Sequence, residues 1–117
     1  MKTLLVTVAF LITSVIGAQN GIEPTFTADN GMVTATYYHE NGKISQEGTY
    51  NKEGKLHGTW NAYDTNGYKV STGEYENGVK SGKWLFFKED GVVEVTYENN
   101  KVANSTFKSF KGVVDSE

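Results

Sequence analysis

The chain has no cysteine and no arginine, and only one proline, Pro24, among its 117 residues. Without cysteine there are no disulfide staples, no thiolate metal ligands, no cysteine nucleophile and no lipid attachment through an N-terminal cysteine. All basic residues are lysines and the formal net charge is −3. A nucleic-acid binder would show a basic stripe with arginine forks for phosphates, so no nucleic-acid partner is expected. The same balance suits anionic lipid head groups badly. Scarce proline beside 13 glycines favours tight hairpins over disorder. The length allows one domain at most. No segment of the mature chain places apolar residues at i, i+3, i+4 and i+7 between caps, so no helix is expected there.

The one long apolar run is at the N-terminus. Lys2 is followed by Leu4 to Ile16, roughly 13 residues, where a bilayer-spanning helix needs about 20. Gly17-Ala18 then offers small residues for cleavage. The pattern is that of a signal peptide over 1–18, giving a mature chain that starts at Gln19 and an exported, periplasmic or extracellular protein. No stable membrane insertion is expected after cleavage. Residues 19–30 read as a polar, flexible leader, with a short strand around Thr25 to Thr27. Residues 31–110 read as the folded domain, and 111–117 as a C-terminal tail.

What is present in quantity is glycine and aromatic residues, and they recur. Tyr38, Gly42, Gly48, Tyr50, Gly54, Gly58 and Trp60 align with Tyr63, Gly67, Gly73, Tyr75, Gly78, Gly82 and Trp84. A third copy begins at Phe87, Gly91 and Tyr97 and then fades, with Asn100, Asn104 and Thr106 in place of glycines and tryptophan. The step of roughly 25 residues is that of a repeat array. Asn41-Gly42, Asn66-Gly67 and Asn77-Gly78 are strong hairpin signals, since a two-residue type I′ turn needs positive φ at both positions. Glu53-Gly54 and Asp90-Gly91 are assigned the same job, and Asn99-Asn100 is a weaker version. These marks divide the domain into strands near 32–38, 43–50, 56–64, 68–76, 81–88, 92–98 and 102–110. Short turns between successive strands make each pair antiparallel, in a simple meander.

Strand parity sorts the aromatics. Gly48 and Tyr50 share a face, as do Gly73 and Tyr75. A strand glycine leaves bare backbone on which a ring from the next strand can lie, and Trp60 and Trp84 are placed to fill those sites. Tyr63 and Phe87 have the opposite parity. Both faces are thus expected to be partly apolar, with neither sealed. The rings Tyr50, Trp60, Tyr63, Tyr75, Trp84 and Phe87 are the candidate binding surface, where exposed Trp and Tyr would anchor a partner. The competing reading makes them a stacked substitute for a core.

The pattern Tyr-x-x-x-Gly, Gly-x-Tyr, Gly-x-x-x-Gly-x-Trp resembles the MORN repeat, in the variant found in bacterial exported proteins and in the YwqK-type antitoxin family. The resemblance covers about Tyr37 to Phe107. It implies an all-β fold: an antiparallel meander of repeated β-hairpins forming an elongated, twisted single-layer sheet. It also implies a scaffold or protein-interaction role of an antitoxin- or immunity-like kind. The faded third copy corresponds to the terminal repeat that caps such arrays.

No catalytic, cofactor-binding or metal-binding constellation is found. His39 and His57 fall in or beside turns, without a second ligand at metal spacing. Glu40, Glu53, Glu76, Asp90 and Glu98 fall at turns or strand ends, where carboxylates are well solvated. The expected function is therefore a non-enzymatic exported module that docks a protein or a cell-envelope polymer and needs no cofactor. The alternative is an extracytoplasmic glycan-binding protein or a carboxylate-dependent hydrolase, whose paired acids are defined by distance rather than by spacing.

Overall fold

The computed structural model describes residues 21–111. The expected signal peptide, the first two leader residues and the tail beyond residue 111 lie outside the described residues. Eight strands follow one another: β1 (Thr25–Asp29), β2 (Met32–Tyr38), β3 (Ile44–Tyr50), β4 (Leu56–Tyr63), β5 (Lys69–Glu76), β6 (Val79–Lys88), β7 (Gly91–Glu98) and β8 (Lys101–Ser109). Each pairs antiparallel with the next, and the sheet order is the chain order, β1 to β8. The fold is the expected all-β meander in one open sheet. Phe110 and Lys111 leave the sheet in helical conformation. The strand expected around Thr25 to Thr27 runs on to Asp29, fully in register with β2, so half of the described leader belongs to the sheet.

Six of the seven turns fall into two kinds. Asn77-Gly78 has φ of 52° and 85°, and Asn99-Asn100 has φ of 53° and 70°, the two-residue closure with both positions left-handed. Asn30-Gly31 (φ 53° and 81°) is a third, between β1 and β2. Asn41-Gly42 and Asn66-Gly67 differ from expectation: only Gly42 and Gly67 take positive φ. There the amide of Gly42 donates to the carbonyl of His39 (3.0 Å) and the amide of His39 to that of Lys43 (2.8 Å). Asp64, Gly67 and Tyr68 repeat the pattern, as do Asn51, Gly54 and Lys55. These are three-residue loops ending in a left-handed glycine. The Asp64 carboxylate accepts the amides of Asn66 and Tyr68, and the Asn51 side-chain carbonyl those of Glu53 and Lys55, which fixes the wider loop. Asp90-Gly91 is no turn glycine either. Lys88 pairs with Gly91, so Glu89-Asp90 makes the turn. Gly91 is buried and extended, and a Cβ there would collide with Phe107 and the Lys108 carbonyl.

The core is built from a device used twice. On β3, Gly48 lies between Glu47, opposite Asn61, and Thr49, opposite His57. Three residues of β4, Gly58-Thr59-Trp60, thus face one residue of β3. Gly58 absorbs this bulge at φ 85°. The indole of Trp60 then lies on Gly48, so close that a Cβ on Gly48 would fall inside the ring system. Its Nε1–H donates to the carbonyl of Thr49 at 3.0 Å. The same occurs one repeat on. Gly82-Lys83-Trp84 of β6 face Gly73 of β5, Gly82 takes φ 69°, the indole covers Gly73, and Nε1–H donates to the Glu74 carbonyl at 3.0 Å. Val95 stands two residues before Tyr97, where the repeats carry glycine before tyrosine. Its buried side chain occupies the room itself, so β8 has no need of a tryptophan.

Rings link these units edge to face. Tyr50 meets Trp60 (5.2 Å), Trp60 meets Tyr75 (6.4 Å), Tyr75 meets Trp84 (5.1 Å) and Trp84 meets Tyr97 (6.0 Å). At one end Val33, Ala35 and Tyr37 complete the cluster, with Phe26 and Leu56 against it. All of this lies on one face. The other face carries Thr59 bonded to Glu74, Thr72 bonded to Asn61, and Glu94 between Lys83 and Lys108. The buried side chains thus all lie on this face, because the tryptophans lie flat on bare backbone instead of standing off it. The other face keeps half-buried apolar groups such as Tyr63, Leu85 and Phe87, so both faces are partly apolar, as expected.

Candidate functional site

The six candidate rings separate into two groups. Tyr50, Trp60 and Trp84 are 4–5% exposed. They are core, and present little surface to a partner. Tyr75 joins them on that face, half-buried between the two indoles. Burial pushes the phenols of Tyr50 and Tyr75 up from their ordinary value; for Tyr50 the bond to the Tyr37 hydroxyl (2.9 Å) adds to this. Lys80 covers the far end of the ring chain, its ammonium 5.4 Å from the Trp84 ring and 5.1 Å from Tyr97. Between Gln46, Ala62, Ser71 and the rings of Trp60, Tyr75 and Trp84 runs a groove of about 120 Å³. Pockets that hold small molecules start near ~300 Å³, so this groove is too small for a cofactor.

Tyr63 and Phe87 lie on the opposite face, as parity required, both half-buried. Tyr63 donates its hydroxyl to the Glu47 carboxylate at 2.7 Å, and that bond is the main reason its phenol titrates above the ordinary value. Tyr38 has the equivalent repeat position on β2 and shares a hydrogen bond with Thr25 at 3.2 Å. The three positions Tyr38, Tyr63 and Phe87 mark a row across β2, β4 and β6. Beside it lie Glu47, Asn61 and Thr72, with Thr72 donating to Asn61 at 2.6 Å. Sequence reading did not single out these polar neighbours. Glu47 could have been found, since it shares the outward parity of Thr49 on the strand next to Tyr63.

The histidines tie turns of successive repeats together. His39 Nε2 is 2.9 Å from the Tyr63 carbonyl, and His57 Nδ1 accepts the Asn77 amide at 3.2 Å. Asn41 donates to the Thr65 carbonyl and Asn51 to the Asn77 side chain, extending the same stitching. Glu40, Glu53, Glu76, Asp90 and Glu98 are exposed and dispersed along the two turn-bearing edges. Among the described residues no three His, Asp or Glu side chains gather into a metal-binding group. Glu94 is the carboxyl most closely engaged by cations. The hydrogen bond from Lys108 (3.1 Å) chiefly, with Lys83 adding to it, holds that group below the ordinary carboxylate range, opposite to what a general acid requires.

No family model and no curated protein matches the chain.

Proposed function

We propose that the chain is a non-enzymatic, exported MORN-like repeat protein, a scaffold that docks a protein partner in an antitoxin- or immunity-like manner. The observation that carries this reading is the outward row of Tyr38, Tyr63 and Phe87. The same repeat position is offered on every second strand, on the face the core does not use. Rings with hydrogen-bonding neighbours such as Glu47, Asn61 and Thr72 are the chemistry of contact anchors rather than of bond breaking. Tyr63→Ala and Phe87→Ala should abolish capture of an envelope partner by the purified chain and leave the thermal midpoint within a few degrees of wild type. Capture undiminished in both variants overturns the reading. Export has its own measurement: intact mass of the protein from its host should give a chain starting at Gln19, and a mass that begins at Met1 refutes it.

One observation supports a second reading, binding of a cell-envelope glycan. Alternate strands lie about 9.6 Å apart, close to the length of one disaccharide in an extended β-linked chain. Sugar rings stacking on successive members of the row would find a carboxylate and an amide beside them. Titration of the intrinsic fluorescence with soluble cell-wall oligosaccharides separates the two readings: saturable quenching lost in Tyr63→Ala selects the glycan.

A further inference from the structure

Among the described residues, β1 and β8 are the two ends of the sheet. β8 is exposed along almost its whole length. Of the six exposed large apolar side chains among the described residues, four lie in these end segments: Ile22 (47%) beside β1, and Val102 (59%), Phe107 (50%) and Phe110 (46%) on or next to β8. The ends also differ in charge. Residues 21–31 contain Glu23 and Asp29 and no base, whereas residues 101–111 contain Lys101, Lys108 and Lys111 and no acid. The acids of β7, Glu94 and Glu98, lie one strand further in. Glu94 holds Lys108 at 3.1 Å, yet the Lys108 side chain stays 59% exposed.

We infer that β8 of one copy pairs with β1 of a second copy, continuing the meander head to tail. One antiparallel register satisfies both faces and both charges. On β8, Val102 pairs with Tyr97 and Asn104 with Thr96, so Ala103 is an extra residue at a bulge. A strand added outside must pass over Ala103 to keep its faces in step. With Lys101 opposite Asp29, Val102 meets Ala28, Asn104 meets Thr27, Ser105 meets Phe26, Thr106 meets Thr25 and Lys108 meets Glu23. Core-face residues then meet core-face residues along β1, and the two lysines of β8 come opposite Asp29 and Glu23. Phe107 lands opposite Pro24, diagonal to Ile22 and Phe26, which covers three of the exposed or half-exposed apolar groups.

The competing two-fold pairing of β8 with β8 would set Lys101 of one copy against Lys108 of the other. Lysines on an edge strand are a known guard against self-pairing. Here they guard against a like edge and fit the acidic one. The contact is heterologous, so it does not close as a dimer and adds copy after copy.

Sedimentation velocity of the purified chain over a concentration series tests this. The mass should grow beyond dimer with concentration and fall as salt is raised. Lys101→Glu and Asp29→Lys, both exposed substitutions whose melts should match wild type, should each remain monomeric where wild type assembles. An equimolar mixture should recover the wild-type distribution, because each variant's altered edge then meets a complementary one. A wild-type chain that stays monomeric throughout overturns the inference. So does assembly unimpaired in Asp29→Lys, which would mark a β8–β8 dimer, and so does a mixture that stays monomeric. None of these outcomes bears on partner capture, which is read at Tyr63 and Phe87.

Discussion

The seating of Trp60 on Gly48 can be tested as a coupled pair. Trp60→Ala removes a buried indole, its edge-to-face contacts with Tyr50 and Tyr75, and the donor to the Thr49 carbonyl. Truncation of a buried aromatic typically costs about 3–5 kcal/mol, and each ring pair is worth ~0.5–1.5 of that beyond burial. In a domain whose whole stability is of order 5–15 kcal/mol, this is a large loss. Gly48→Ala keeps the indole but puts a methyl where its ring system lies. Because the near neighbour is a rigid ring held by its own hydrogen bond, the strand or the indole must shift, at about 1–3 kcal/mol. In the double variant the methyl enters space the indole has vacated. The double loss should therefore be smaller than the sum by about 1–3 kcal/mol, well outside the scatter of independent sites. Urea melts of the four proteins, compared at equal slope, give the coupling. Strict additivity would refute the packing account, and a Trp60→Ala chain that melts like wild type would remove Trp60 from the core.

Gly67 holds φ 95° at the end of a three-residue loop, so Gly67→Val should lower stability by about 1–3 kcal/mol, and an unchanged urea midpoint would show that the loop frays before the sheet melts. Alkali should destabilise the protein through its tyrosines. Tyr50, Tyr63 and Tyr75 all titrate above their ordinary value when folded, so above about pH 10 the unfolded chain binds fewer protons than the folded one. The stability they contribute is complete below the unfolded value and is lost as pH rises through the folded ones. Urea midpoints should be level to about pH 9 and fall beyond it. Tyr50→Phe should flatten that fall, and a midpoint level to about pH 11 in wild type would contradict the assignment.

The repeat and its parity made much of this fold legible. Gly48 with Trp60 and Gly73 with Trp84 could be paired from spacing alone, since a strand glycine and a large ring on the adjoining strand admit few arrangements. Asn77-Gly78 and Asn99-Asn100 declared their turns correctly. Asn41-Gly42 did not, because the dipeptide fits two loop lengths. At Asn66-Gly67 the Asp64 carboxylate favours the longer loop by accepting two later amides, and at Glu53-Gly54 the Asn51 side chain does the same; at Asn41-Gly42 the Asn41 side chain accepts the Lys43 amide. Gly58 and Gly82 were visible as repeats but not as bulge residues, since a bulge is a property of two strands together. β1 was only half seen: Phe26 is its single partly buried side chain, too little alternation to mark a strand. The outward row was readable for Tyr63 and Phe87 but not for Glu47 and Asn61, whose polar character blends with any solvated face.

The sequential order of the strands also governs how the molecule would behave under load. Among the described residues every strand is hydrogen-bonded only to the strands before and after it, so no pairing there waits for a distant segment. Contacts of short sequence separation form quickly, and folding can begin at any hairpin and spread outward in both directions. The first and last strands lie at opposite ends of the sheet. Tension applied there pulls across the ladder and opens it one bond at a time, like a zip, rather than shearing many bonds together. The indole–carbonyl bonds of Trp60 and Trp84 become the steps at which such a zip would pause. A chain of this build pays out length at low force, hairpin by hairpin, and recovers it when the tension is released.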